Sequence, residues 1–201
     1  WGSTILGYRE EAENANLQGG AKIATDHIDY DGTGFVAGLK YIGASLEWAP
    51  DGIWSAGDYM LSSKYSNGMG ADKTISLYID NVKTQLTLPK TTNWDAWSTF
   101  QKKITLDSKP HIFKLSCDDG DTYNVNIDFI SVAPIVKIGQ IGEAEFSPFS
   151  GKATRASDHL GFSGTGFVAS LKQAGPYVLW NINNNLVAGE YSLVLKYSNG
   201  I

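Results

Sequence analysis

Two short stretches carry acidic side chains at a spacing that brings them together: Glu11-Ala12-Glu13 and Glu143-Ala144-Glu145. In an extended strand, residues i and i+2 face the same side about 6 to 7 Å apart, so each stretch presents two carboxylates side by side. Glycoside hydrolysis uses an acid and a second carboxylate at separations in this range. A hard cation such as Ca2+ also draws carboxylates together, because it takes about six to eight oxygen ligands and accepts them from separate strands along with backbone carbonyls. Asp128, in the stretch NVNIDFI, supplies a third carboxylate if the first and last strands of the fold are neighbours. The plainer reading is a solvated strand face. Both glutamates persist in a copy that differs elsewhere at more than half its positions, which weighs against that reading.

The second chemistry is aromatic. TTNWDAW, residues 91 to 97, falls between two strand candidates and so reads as a loop. With Trp94 and Trp97 three apart, one indole can anchor the loop while the other stands free. A free indole beside Asn and Asp suits a sugar, since the flat ring packs on the C–H face of a pyranose and the polar neighbours bond its hydroxyls. The alternative places both indoles in the core, and Tyr30, Trp48 and Trp54 carry the same ambiguity. Asp26-His27 resembles part of a hydrolytic triad, but no nucleophile elbow accompanies it and the chain has only three histidines. The GTGFV motif does not open a helix, as a phosphate loop must, so its glycines read as a turn entering a strand. Cys117, the only cysteine, lies in the strand-like HIFKLSC and reads as a buried, inert thiol.

These side chains need a frame, and the apolar pattern supplies a β one. TISLYID (74–80), DYMLSSKYS (58–66) and NIDFISV (126–132) alternate with period two, the last setting Ile127, Phe129 and Ser131 against Asp128, Ile130 and Val132. Turn signals such as QGG, YDGTG, PDG, SNGMG and DDGD interrupt the chain at short intervals. No window carries an amphipathic helix, which predicts an antiparallel sandwich. The net charge of -5, with charged residues at only 18%, offers no basic surface and argues against nucleic acid. No run approaches the ~18 apolar residues of a membrane span, and WGSTILGYREEAEN lacks the basic start and apolar core of a signal peptide. The expectation is a soluble chain read as a mature fragment, since Trp1 is not an initiator.

The chain also repeats itself. Laying residue n on residue n+132 matches 27 of the 58 positions from Glu11 to Gly68 without a gap. A period of 132 is the size of a domain rather than of a solenoid repeat. The expected organisation is a first domain at 8–134, a linker at 135–138, and a partial second copy at 139–201 that stops opposite Met69.

With these motifs in view, the first domain resembles the carbohydrate-binding modules of family 35 and, more distantly, those of family 6. The matching features are the opening EAE, GTGFV after an Asp/Gly turn, AGDYMLSSKYSNG, LYID, NWDAW and the closing NVNIDFI, in the family's order over residues 8–132. The resemblance implies an all-β jelly-roll sandwich of the galactose-binding-domain kind, with Ca2+ held by Glu11, Glu13 and Asp128. It also implies a sugar site in the loops at one end, formed by Tyr30, Trp94 and Asn124 or Asn126. Such modules have no activity of their own and are usually appended to secreted bacterial enzymes acting on polysaccharides. Family ligands include uronic acids, galactosides, mannans and α-glucans, and the sequence does not choose among them. The second copy keeps Glu143 and Glu145, replaces the turn tyrosine by Phe162, and has no counterpart of Trp94, Asn126 or Asp128. Either the chain belongs to a longer tandem protein, or another chain supplies the missing strands by exchange. Two rival functions follow from the same residues: a calcium-stabilised structural or adhesive sandwich without sugar affinity, and a small glycoside hydrolase or lyase using Glu11 and Glu13.

Overall fold

The computed structural model describes residues 4–135, 139, 141–172, 174–182 and 192–199. Among them the regular elements are strands and two short 3-10 turns, Ala12–Asn14 and Ala144–Phe146, with no α-helix. In chain order the strands are β1 (Thr4–Ile5), β2 (Tyr8–Glu11), β3 (Asn16–Gln18), β4 (Lys22–Ala24), β5 (Phe35–Leu39), β6 (Ser45–Trp48), β7 (Ile53–Trp54), β8 (Gly57–Ser66), β9 (Lys73–Ile79), β10 (Val82–Leu88), β11 (Ser98–Leu106), β12 (Phe113–Ser116) and β13 (Val125–Pro134). Four more follow: β14 (Phe149–Ser150), β15 (Thr154–Ala156), β16 (Phe167–Ala169) and β17 (Tyr177–Val178).

Two antiparallel sheets form a jelly-roll β-sandwich. One runs β10-β9-β12-β6-β3; the other runs β11-β8-β13-β5-β4, and β2 also pairs with β13. The core between them joins Val36, Leu61, Tyr65, Ile127 and Val132 to Leu46, Trp48, Ile75, Leu77 and Phe113. The alternation of TISLYID is realised in β9, whose Ile75 and Leu77 enter this core. In β8, Tyr59, Leu61 and Tyr65 do the same. Its other face is buried too: Lys64 donates to the Asp29 carbonyl and Ser66 to the Trp94 carbonyl.

Two local expectations change. The alternation in NIDFISV inverts part-way, because the register of β13 shifts between Ile127 and Phe129, a bulge centred on Asp128. The extra residue returns Ile130 and Val132 to the core beside Ile127 and turns Phe129 and Ser131 outward, where Ser131 Oγ donates to the Phe146 carbonyl. The EAE motif is not one strand either. Glu11 ends β2 and Glu13 lies in the 3-10 turn, closed by Ala15 N–H to the Ala12 carbonyl, which carries fully buried Ala12 into the core. The condition placed on Asp128 does hold, since β2 lies against β13 with Glu11 opposite Phe129.

Residues 143–172 and 174–178 repeat the local geometry of 11–40 and 42–46. β15 pairs with β16 in the register of β4 with β5, and β14 pairs with β17 in that of β3 with β6. The positive-φ positions Gly19, Gly20, Asp29, Gly32, Gly38 and Gly43 correspond one by one to Gly151, Lys152, Gly161, Gly164, Ser170 and Gly175. Further on the likeness in burial ends: Tyr65 is 2% exposed and its counterpart Tyr197 is 84% exposed. Beyond Ile135, the expected linker at 135–138 lies outside the described residues. No helix among the described residues is long and apolar enough to cross a membrane.

Candidate functional site

Three loops meet at one end of the sandwich. The 91–97 loop is shaped by its own polar residues: Asn93 Oδ1 accepts from Asp95 N–H, an Asx turn, and Thr91 Oγ1 donates to the Asn93 carbonyl. Ser66, the last residue of β8, ties the loop to the sheet through the Trp94 carbonyl at 2.9 Å. Under the indole lies Gly68, where a Cβ would stand 2.6 Å from Trp94 Cγ, so only glycine lets the ring lie down on the backbone. Fully buried Asn67 steadies the neighbouring turns, donating from Nδ2 to the carbonyls of Ala71 and Leu88.

The 26–31 loop is joined to this one by Asp95, which lies 3.0 Å from His27 Nδ1 and accepts from Ile28 N–H, and by Trp97 Nε1, which donates to the Ile28 carbonyl at 2.7 Å. The join stacks the His27 ring on Trp94, with centroids 6.2 Å apart and planes 25° from parallel. Phe35, at the start of β5, links Tyr30, His27 and Trp97 at 5.4 to 5.6 Å. Both loop tryptophans are half-buried, whereas Trp48 and Trp54 are core residues.

Asn126 sits at the base of the same end. It pairs with Ser66, and its side chain, in a residue only 7% exposed, makes no hydrogen bond among the described residues. Asn124, with φ 73°, directs Nδ2 to Met69 Sδ at 2.9 Å. The four residues expected at a sugar site thus share one end of the sandwich, with Trp94 and Asn126 meeting through Ser66 and Tyr30 joining through Phe35. The sequence marks Asp95 only as a polar neighbour of Trp94 and gives His27 and Gly68 no part in a sugar site. Asp26-His27 by itself points only to a triad, and the signal for Gly68 is the SNG turn.

The carboxylates form a second, interior cluster. Glu13 Oε1 accepts from Thr33 N–H at 2.8 Å and Gly34 N–H at 3.2 Å, and a Cβ at Gly32 would lie 2.6 Å from the same oxygen. The GTG turn is therefore a cradle for Glu13. Glu11 pairs with Arg9, whose guanidinium also reaches Asp31 at 3.3 Å. Burial pushes the Glu11 carboxyl above its usual range, against the lowering effect of Arg9. Asp128 is fully buried; both its oxygens accept from Asp31 N–H, and Lys64 Nζ lies 2.7 Å away. Burial lifts its carboxyl to about 7, with Lys64 opposing and Asp31 adding to the rise.

Whether Ca2+ fits can be judged from the oxygens left over. Glu11 Oε2 and Glu13 Oε2 are both shut away from water without a hydrogen-bond partner, and an orphaned buried acceptor costs about 1–3 kcal/mol or more when charged. Two such oxygens beside one turn fit a hard cation as two carboxylate donors. Asp128 faces Lys64 instead, and among the described residues no three acidic, histidine or cysteine side chains form a ligating group. The cradle recurs at Glu145, whose Oε1 accepts from Thr165 N–H at 2.7 Å and Gly166 N–H at 3.1 Å, while Glu143 takes Ser163 Oγ at 2.9 Å. Cys117 is fully buried, and burial, with Asp121 and Asp118 nearby, pushes its thiol up to about 12.

Residues 11–134 match the model of carbohydrate binding module family 6. The chain belongs to this family of carbohydrate-binding modules. Over 200 residues the module chain is 40% identical to a 1,6-alpha-glucosyltransferase of Sporosarcina globispora, an alignment covering 94% of this chain and 15% of that enzyme. A Listeria monocytogenes structure in complex with α- and β-D-glucose, magnesium and calcium is 36% identical, with a TM-score of 0.57, over 61% of this chain and 11% of that one. A family 35 carbohydrate-binding module from Clostridium thermocellum shares the fold at 22% identity and a TM-score of 0.57, covering 64% of this chain and 98% of that one. The chain thus spans only a small part of the curated enzymes it matches.

Proposed function

We propose that the chain is a non-catalytic module that binds an α-glucan at its loop end and holds a larger secreted enzyme on polysaccharide. The observation that carries this is the half-buried Trp94 ring, backed by Gly68 and tied through Ser66 to the strand end where the Asn126 amide makes no hydrogen bond among the described residues. A stacking face beside an unsatisfied amide is what a pyranose needs. The choice of α-glucan rests on the likeness to a 1,6-alpha-glucosyltransferase and to a structure holding glucose. Tyr30 and Asn124 flank the site. Residues 8–134 form the binding module and 139–201 a partial second copy. Ca2+ would be held by Glu11 and Glu13, whose Oε2 atoms lack partners, with Asp128, paired here with Lys64, the third candidate carboxylate, and would neutralise carboxylates that otherwise repel inside the sandwich. Glu143 and Glu145 offer the same two donors in the second copy.

The glycosidase reading loses ground because Glu11 Oε2 and Glu13 Oε2 are buried and a substrate cannot reach them. Titration calorimetry of the full chain with α-1,6-linked glucose oligomers tests the proposal. Binding in wild type that Trp94→Ala abolishes supports it, and so does the absence of sugar release. Binding that survives Trp94→Ala moves the site elsewhere, and turnover lost in Glu11→Gln makes the chain an enzyme.

A further inference from the structure

A cleft of about 540 Å3 separates the 29–30 and 95–99 stretches of the module from residues 150–152 and 174–177. Its size falls within the roughly 300–1,000 Å3 of small-molecule sites. Tyr30 and Trp97 stand on the module side and Tyr177, 44% exposed, on the other.

The far wall is anchored by buried groups. Arg9 lies between the rings of Phe129 and Phe149, 4.2 and 3.9 Å from their centroids, and donates to the Phe149 carbonyl at 3.3 Å. Ser150 Oγ donates to Asp31 at 3.4 Å. Since Phe149 and Ser150 pair with Val178 and Tyr177, fixing β14 fixes Tyr177. Arg9 and Asp31 become Ile141 and Ser163 in the second stretch, so this socket is particular to the module that receives Phe149.

Charge in the cleft is largely answered from within. The lining carries two carboxylates, Asp29 and Asp95, and two ammonium groups, Lys64 and Lys152, so its formal charges balance, and Lys64 is held by Asp128 and the Asp29 carbonyl. What remains is three aromatic side chains with hydroxyls at Ser98, Thr99 and Ser150, a lining for a neutral, hydroxyl-rich ligand. Tyr30 and Asp95 belong both to this cleft and to the loops that carry Trp94.

We propose that the cleft is a second carbohydrate subsite, continuous with the Trp94 platform, and that it takes the further sugar units of a neutral glucan whose first unit lies on Trp94. This rests on the proposed glucan binding at Trp94. The footprint therefore spans both halves of the chain, and affinity should grow with the length of the oligosaccharide.

Calorimetry on the full chain with α-1,6-linked glucose oligomers of increasing length tests this. Wild type should gain about tenfold or more in affinity from the disaccharide to the longer oligomers. Tyr177→Ala removes a half-exposed face, and Ala174→Trp fills the cleft from an exposed position. Each should flatten the gain while leaving disaccharide affinity within about twofold, whereas Tyr177→Phe should keep it. Unchanged length dependence in both Tyr177→Ala and Ala174→Trp overturns the subsite and leaves the Trp94 platform standing. No binding of any oligomer by wild type overturns the glucan reading and the subsite together.

Discussion

At the scale of single residues, the loop site rests on contacts that allow little substitution. Trp94→Ala should cost at least about 2 kcal/mol of sugar affinity, roughly thirtyfold, because a stacking ring at the centre of a site carries much of the binding energy. Its melting temperature should barely move, since a half-buried loop indole adds little to the core. Gly68→Ala is the sharper check: the new methyl would occupy the space of the indole, so affinity should fall as far as in Trp94→Ala although every ligand-contacting side chain is retained. Calorimetry beside thermal melts separates these outcomes, and early melting of Trp94→Ala would mean that the ring belongs to the core. Cys117 gives a second test. With its thiol lifted to about 12 by burial, the native chain should resist iodoacetamide at pH 8, whereas guanidinium should release one reactive thiol per chain; rapid native labelling would show that the β12 end opens.

At the scale of elements, the bulge at Asp128 sets which face of β13 meets the core. Ile127→Ala and Ile130→Ala, on opposite sides of the bulge, should each cost about 2–5 kcal/mol in denaturant unfolding, while Ser131→Ala on the outer face should cost about 1. Equal costs at 130 and 131 would mean the strand does not shift. The loop after β12 carries a polar network. Partial burial works against ionisation of Asp118, but hydrogen bonds from Lys83, Tyr78 and Ser116 win and hold its carboxyl down at about 2. A depressed carboxyl contributes stability above its unfolded pKa of about 3.9 and loses it as pH falls through about 2. Asp118→Asn should therefore lower the melting temperature slightly at pH 7, and the gap to wild type should close between pH 4 and pH 2.

At the scale of the whole molecule, the carboxylate cluster and residues 192–199 each carry an expectation, one for stability and one for association. A cation bound by Glu11 and Glu13 only in the folded chain raises stability by mass action, about 2.7 kcal/mol at a hundred times the dissociation constant. Chelation should then lower the melting temperature of the wild type and leave Glu13→Gln unmoved; a wild type indifferent to chelator and to added Ca2+ would remove calcium from the picture. Leu193, Val194, Leu195 and Tyr197 are exposed where the corresponding stretch of β8 is buried. An exposed apolar stretch invites association with another chain, so light scattering should show association growing with concentration, reduced in Leu195→Ser with Tyr197→Ser. A chain that stays monomeric at high concentration would end the strand-exchange idea.

Period-two alternation, turn glycines and the repeat at 132 residues determine that the chain is an all-β sandwich with a second stretch built alike, because local spacing alone decides which side chains share a face. The order of NWDAW and NVNIDFI likewise places Trp94 in a loop and Asn126 in a strand, whereas EAE, which reads as one strand, divides between the end of β2 at Glu11 and a 3-10 turn at Glu13. Tertiary structure alone decided the rest. The bulge that inverts β13 has no marker in NIDFISV; it depends on pairing with β8. His27 became part of the aromatic platform only when Asp95 drew two loops together across 68 residues of sequence. Asp128 met Lys64 because β13 pairs with β8, and Arg9 met Phe149 because β14 packs on the sheet that carries β2. Such contacts depend on chain crossings that no local pattern encodes.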